Sequence, residues 1–345
     1  MKLKIARMIP NLRLHTTLGS SLIASRGYKI YRSKDAGESW ESVNRMPAPY
    51  CKRCLSQNRL VSRLLRLGIS QIKQIAGDKL LICGDWAVFL SDSSFTHFQR
   101  ANVPSRFFQL LDNSLCVTPE YTYYGEYIPN PSRREVNIFR TRDGADWELA
   151  YSFSPKTIKH IHVLQYDKFS EKIWFSTGDA DAECLLGFAD QDFSNLAIIG
   201  GNNQKWRTLE FLFTEDFVYW GMDSPIMQNK LFSYCRKDGE IKEIADFNGP
   251  IYNLRKIGNK GYIILTGSEG GKSEWDNKAH VWYSNNLHKW QDCLSFEKDA
   301  LPHIFGFGRL LLAENTGEKI ILSASALEGL RNGILFITEA ESPHG

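Results

Sequence analysis

The segment SKDAGESW, Ser33 to Trp40, follows a strand-like KIYR and returns in weaker form along the whole chain. Its spacing, S-x-D-x-G-x-x-W, reads as a hairpin turn. Ser33 and Asp35 are placed to accept turn N–H groups, Gly37 permits positive φ, and Trp40 is expected to return to the core as an apolar anchor. AVFLSDSSFTHF, from Ala87, repeats the plan with Phe98 seven positions after Ser91. NIFRTRDGADWELAYSF carries Thr141, Asp143, Gly144 and Trp147. LLGFADQDFSNLAII from Leu185 and KLFSYCRKDGEIKEIADF from Lys230 keep Asp190 and Asp238 but not the Trp. HVWYSNNLHKWQDCLSF from His280 restores Ser284, Asn286 and Trp290, and GILFITEA from Gly333 begins a last unit.

The strands before these turns start near residues 29, 87, 137, 185, 230, 280 and 333, at intervals of about 45 to 58 residues, which is the range of propeller repeats. Each is preceded by an apolar strand: SSLIAS, KLLICG, YTYYGEY, KIWFST, FVYWGM, GYIILTG and KIILSAS. Further upstream lie others such as IHVLQY and RTLEFLF. With the strand after each turn, every unit holds four short antiparallel strands. The expected fold is therefore all-β, one seven-bladed β-propeller domain over residues 1–345, with six blades as the alternative count. LKIARMI at the N-terminus is expected to pair with the C-terminal blade and close the ring, which would remove exposed sheet edges.

Composition agrees with a folded, aromatic-rich protein: 43% hydrophobic residues, with 9 Trp, 14 Tyr and 20 Phe. The charge of +3, from 42 basic and 39 acidic residues, gives no global reason to expect nucleic acid as a partner. Arg7, Pro10 and Arg13 interrupt the apolar runs at the start, so no secretory signal is read there, and no stretch has the length of a transmembrane helix. The seven cysteines, an odd number, fit a reducing compartment. A cytoplasmic monomer without membrane contact is expected. Cys51-x-x-Cys54 lacks a second ligand pair and reads as two unpaired loop cysteines.

The turn pattern resembles the Asp-box, or BNR repeat, of sialidase-like β-propellers. Ser33 to Trp40 carries the full motif, with Thr141 to Trp147 and Ser284 to Trp290 as shortened forms. The resemblance implies a propeller whose boxes are structural turns lying away from the active face. The architecture is shared by sialidases and other glycan-active enzymes, by lectin-like binders and by scaffolds, so function is to be read from the site and not from the fold. Sialidases of this group use three arginines, a Tyr/Glu pair and an Asp.

If the boxes mark one face, the loops after each second strand open on the other. These loops hold Glu126, Asp179, Asp181, Glu183, Asp223, Glu269 and Glu274. The expected innermost strands begin with cations and histidines: His160 and His162 in IKHIHVLQYD, Gln204 and Arg207 in NQKWRTLEF, and Arg59, Arg63 and Arg66 in RLVSRLLRLG. Arg106 in PSRFFQLL, Tyr252 and His303 occupy similar places. Arg133, beside Arg134, is a substrate clamp or a solvated loop arginine. Guanidinium groups pair bidentately with carboxylates or sulfates, so an acidic glycan is the expected partner.

Three functions fit this pattern. A glycosidase would use paired carboxylates, with Asp179 and Glu126 as candidates, Asp223 in reserve, and Arg63, Arg106 and Arg207 anchoring the sugar carboxylate. A polysaccharide lyase would use His160 or His162 as base, Tyr252 as proton donor, and Arg or a metal to neutralise a uronate. A non-catalytic binding propeller is the third. No cofactor is required by the sequence. His160-x-His162 can chelate one divalent ion, with Glu126 or Asp179 adding an oxygen, or the pair can serve as a buried hydrogen-bonded strut.

Overall fold

The computed structural model describes residues 2–75, 79–104 and 114–340. Their strands form seven four-stranded antiparallel sheets, the blades of a seven-bladed β-propeller. The repeat strands picked out by the turn motif are the third strand of each blade: Lys29–Ser33, Val88–Ser91, Val136–Thr141, Leu185–Ala189, Asn229–Cys235, Lys278–Ser284 and Ile334–Glu339. The N-terminal strand Leu3–Ile9 pairs antiparallel with Ile334–Glu339, in the register Leu3 opposite Glu339 to Ile9 opposite Ile334.

Burial falls from the second strand of a blade to the fourth. Leu80–Gly84 is buried at every position, and Lys172–Gly178 at all but its first. Such strands have apolar neighbours on both faces, which is why they read as continuous hydrophobic runs. Fourth strands are wet: Glu41–Arg45 and Gln291–Glu297 expose most of their residues. Their polar composition follows from having one sheet neighbour and solvent beyond.

The chain divides into two compact units. One comprises residues 2–26, 33–39 and 216–340, the other 27–32 and 40–215. In the first, Ile257, Ile263, Leu265, Val281, Leu310, Leu322 and Leu335 belong to one apolar cluster. In the second, Tyr123, Ile138, Phe153, Ile161, Leu164, Ile173 and Phe175 form another.

The turns are held by the motif residues. Ser33 Oγ accepts from Gly37 N at 2.7 Å, and the Asp35 carboxylate accepts from Ser39 N at 2.9 Å. Thr141 Oγ1 accepts from Gly144 N at 2.9 Å, Asp143 Oδ1 from Ala145 N at 2.8 Å, and Asn286 Oδ1 from His288 N at 3.0 Å. The Trp side chains are half-buried rather than central: Trp147 and Trp290 donate from Nε1 to Gly144 O and Leu287 O across their own turns. The apolar anchor is instead the residue at the glycine position. Phe95, Phe193 and Leu287 stand there with φ of 57°, 59° and 67° and are buried. Gly37 and Gly144 are small because others fill the space: an added Cβ would lie 2.3 Å from Phe336 Cζ at Gly37, and 2.5 Å from Ile75 Cδ1 and Leu90 Cδ2 at Gly144.

Two expectations about local structure are corrected. RLVSRL, read above as leading an innermost strand, is the helix Arg59–Leu64. Asn58 caps it by accepting from Leu60 N at 3.0 Å and Val61 N at 3.1 Å. Leu60, Val61 and Leu64 follow helical spacing, and the innermost strand of that blade, Ile69–Gln74, starts later. Cys51 and Cys54 are free and exposed on the short helix Tyr50–Leu55, rather than on a loop. Among the described residues no helix is long and apolar enough to cross a membrane.

Candidate functional site

The innermost strand His160–Asp167 pairs with Lys172–Gly178, but its register slips between Ile161 and Val163, leaving His162 as the bulged residue. The same slip occurs at His15, Ser70 and Tyr252 in the equivalent strands of three other blades. A bulge twists a strand and re-aims the extra side chain, and bulges gather next to functional sites. At His162 it brings the two imidazoles together, with His160 Nε2 and His162 Nε2 3.1 Å apart.

Asp179, the first residue after Gly178, completes the cluster. Its Oδ1 lies 3.2 Å from His160 Nε2 and 3.1 Å from His162 Nε2. Lys159 Nζ sits 2.5 Å from the other oxygen, Oδ2, and Arg207 Nη2 is 3.6 Å from Oδ1. The histidine side chains are 3% and 2% exposed, whereas that of Asp179 is 35% exposed, so the imidazoles lie behind a carboxylate that reaches solvent. Tyr127, half-buried, lays its ring against His160 with centroids 4.1 Å apart.

Burial opposes the charge on Asp179, but its contacts with His160 and His162 outweigh it and hold the carboxyl well below the usual carboxylate range. Burial also pushes the His160 imidazole below its ordinary value, partly countered by Asp179. In its neutral form the ring has a defined tautomer. Its Nδ1 lies 3.2 Å from the Ile128 carbonyl, an acceptor only, so the proton is on Nδ1 and the Nε2 lone pair faces the cluster.

The supporting loop is tied down from below. Gln204, buried, donates from Nε2 to Asp179 O at 2.9 Å and to Asp181 Oδ1 at 2.8 Å. Arg133 pairs with Glu183 and donates to Asn130 O at 2.8 Å. Gln204 and Arg207 lie on and just after a short 3-10 turn, Gln204–Trp206, ahead of the innermost strand Phe211–Phe213, rather than on the strand itself. Glu126 is 3% exposed, and its Oε2 accepts from Asn137 N at 2.9 Å with Arg134 3.9 Å away. That is the environment of a carboxylate tying two strands together.

Other named residues fall elsewhere. Arg63 is half-buried on the helix Arg59–Leu64, and Arg106 lies outside the described residues. In the other unit Tyr252, on the strand Ile251–Ile257, donates its hydroxyl to Glu269, and burial with that carboxylate pushes the phenol well above its ordinary range. Asp223 is buried there, and half-buried His303 heads the short turn His303–Phe305, close enough to Gly270 that a Cβ on the glycine would lie 2.6 Å from His303 Cε1.

Sequence reasoning named both histidines, Asp179, Gln204 and Arg207, and passed over Lys159, Tyr127 and Gly178. Lys159 had a signal, since it directly precedes His160 in the same run. Gly178 had one as well: it pairs with His160, and a Cβ on it would stand 2.8 Å from His162 Nε2. Tyr127 had none, because its stacking depends on a chain reversal between residues 126 and 160.

No protein-family model matches the chain, and no curated protein matches it. Solved structures do. Two crystal structures of an extracellular domain from B. thetaiotaomicron, described as part of a one component system and of a hybrid two component system, align with TM-scores of 0.59 and 0.60 at 13% identity. They cover 97% and 99% of this chain, and the chain spans 40% of the length of those proteins. A chain of the Mitotic Checkpoint Complex aligns with a TM-score of 0.58 at 10% identity, over 96% of this chain and 93% of that one. At these identities the likeness is one of propeller fold.

Proposed function

We propose that the protein acts on an acidic glycan at the cluster of His160, His162, Asp179, Lys159 and Arg207, cleaving it by β-elimination next to a uronate. One observation carries this reading. The partly exposed carboxylate of Asp179 is faced by two cations, Lys159 and Arg207, besides the two imidazoles, so positive charge exceeds negative among these five groups where the loop meets solvent. An Asp179 held ionised cannot donate a proton to a leaving oxygen, and Glu126 is committed to a backbone N–H, which disfavours a paired-carboxylate hydrolase built on these two.

In the elimination, a base removes the C5 proton of the uronate, those electrons form the C4=C5 double bond, and the C4–O bond breaks with a proton going to the leaving oxygen. Removing the C5 proton loads charge onto the carboxylate, so the centre's positive groups stabilise the transition state more than the ground state. Arg207 supplies a fork for the uronate. Tyr127 is the proton-transfer group, taking the C5 proton as a phenolate and giving it to the leaving oxygen, Lys159 joins Arg207 in answering the uronate's charge, and the buried imidazoles support the centre from behind.

A second reading has its own observation. The Tyr252 hydroxyl on Glu269 is a Tyr/Glu pair of the type that sialidases use, which favours hydrolysis at that place. Incubation with a panel of acidic oligosaccharides separates the readings. β-Elimination gives an ultraviolet-absorbing unsaturated product without change in total mass. Hydrolysis gives fragments that have gained water, and unchanged saccharides that bind would leave a glycan-binding propeller and overturn both enzyme readings.

A further inference from the structure

We infer that His160, His162 and Asp179 form a binding site for a first-row divalent cation. The site is the one on which the β-elimination reading rests, but the inference stands on geometry alone. Three ligand atoms, His160 Nε2, His162 Nε2 and Asp179 Oδ1, form a nearly equilateral triangle with edges of 3.1, 3.2 and 3.1 Å. An ion about 2.1 Å from each atom sets such atoms about 3.0 Å apart at right angles and about 3.4 Å apart in a tetrahedron. The observed edges lie between these values.

A shared cation accounts for the triangle without requiring a charged imidazole. The Ile128 carbonyl fixes the His160 proton on Nδ1, leaving a lone pair at Nε2. Asp179 Oδ1 is an acceptor. His162 Nε2 can offer one proton, which with a neutral His160 leaves one pair of acceptors facing each other at about 3 Å. A shared cation satisfies all three at once.

The surroundings have the form of a supporting shell. Ligating histidines characteristically donate the second ring nitrogen to a carbonyl or carboxylate, as His160 does to Ile128. Lys159 holds Oδ2, so Asp179 presents one oxygen to the imidazoles. Gly178 supplies the space, because any side chain there would meet His162 Nε2. Two imidazoles and one carboxylate suit Mn²⁺, Co²⁺ or Zn²⁺ better than Ca²⁺, and leave positions for water or a sugar carboxylate.

The test uses the full chain, stripped with chelator and without sugar. Co²⁺ is titrated and followed by its visible d–d bands, and the Zn²⁺ retained after desalting is measured by elemental analysis. One ion per chain, with Co²⁺ bands that Zn²⁺ displaces, is expected. The His160→Ala/His162→Ala double variant should abolish the bands, and Asp179→Asn, nearly isosteric, should weaken binding about tenfold or more. Circular dichroism establishes which variants are folded. If the double variant does not fold, the wild-type stoichiometry and Asp179→Asn decide. Substoichiometric binding by the wild type, or undiminished binding by a folded variant, overturns the inference. Metal binding without unsaturated product would remove the β-elimination reading and leave the metal site standing. Product from a protein that shows no Co²⁺ signal would do the reverse.

Discussion

Gly178 and His162 touch so closely that a Cβ on the glycine would stand 2.8 Å from the His162 Nε2 atom and 3.2 Å from Arg207 Cδ. Neither neighbour is free to retreat, since His162 is packed at 1% exposure and Arg207 approaches the Asp179 carboxylate. Gly178→Ala is therefore expected to displace the imidazole and loosen the triangle of ligand atoms. The fold cost should be about 1–3 kcal/mol, that of modest overpacking. Co²⁺ affinity should fall about tenfold or more, as when a ligand's support is lost. Urea unfolding and metal titration of the same preparation separate the two effects.

The position shared by Gly37 and Phe95 yields a paired stability prediction. At Gly37, with φ of 91°, the space belongs to Phe336, so Gly37→Ala both strains the backbone and drives a Cβ into a ring carbon. A loss of about 1–3 kcal/mol is expected. At Phe95 the side chain itself fills the space, with no exposed surface. Phe95→Ala should cost about 3–5 kcal/mol, the range for an aromatic deleted from a core. Denaturant midpoints of the two variants provide the check, and equal effects would mean that the two turns are not filled in these different ways.

These turns show how far the fold was legible. The spacing of Ser33, Asp35 and Gly37 recurs because a hairpin needs N–H acceptors and a left-handed residue, and that need is local, so it is written in consecutive residues. Phe95 and Leu287 disguise it by taking the left-handed conformation themselves in exchange for burial. The site was legible in part for the opposite reason. His160 and His162 are close in sequence, but Asp179 and Arg207 reach them only through strand pairing and a following turn. The helix Arg59–Leu64 misled because its six residues are too few for the helical spacing of Leu60, Val61 and Leu64 to stand out. Nothing in the residues around Glu126 announced that its carboxylate would be used by the Asn137 N–H.

The Asp35 carboxyl is held below its ordinary range first by the Ser39 hydroxyl, then by the Ser39 N–H and the Ser33 hydroxyl. A carboxyl depressed in the folded state contributes its full stabilisation above the unfolded value, about 3.9, and loses it as pH falls toward the folded value. Asp35→Asn should therefore lower the urea midpoint at neutral pH, and the gap between variant and parent should narrow as pH drops below about 4. A gap that is constant with pH would show that the charge of Asp35 does not matter to the turn.

Thiol chemistry gives an independent check on burial. Cys51 and Cys54 are exposed, whereas Cys83, Cys116 and Cys184 are buried. Burial pushes the Cys116 and Cys184 thiols up to about 12, so almost no thiolate is present at neutral pH. A maleimide or iodoacetamide should label Cys51 and Cys54 in the native protein, and Cys116 and Cys184 after denaturant is added. Peptide mapping by mass spectrometry reads the order directly.

Arg207 offers the sharpest test of the elimination reading. Its side chain is 12% exposed and its guanidinium stands 3.6 Å from Oδ1 of Asp179, the carboxylate that reaches solvent. If the fork receives the uronate, Arg207→Met removes both a binding contact and the charge that answers the carboxylate as the C5 proton leaves. KM should rise and kcat should fall, with kcat/KM lower by about 100-fold or more, the scale of losing one transition-state electrostatic donor. Arg207→Lys keeps the charge but not the planar fork, and should recover part of kcat while KM stays high. Unsaturated-product assays over a range of oligosaccharide concentrations give both constants. A rise in KM with unchanged kcat in Arg207→Met would place Arg207 at ground-state binding alone and move charge neutralisation to the other groups of the centre.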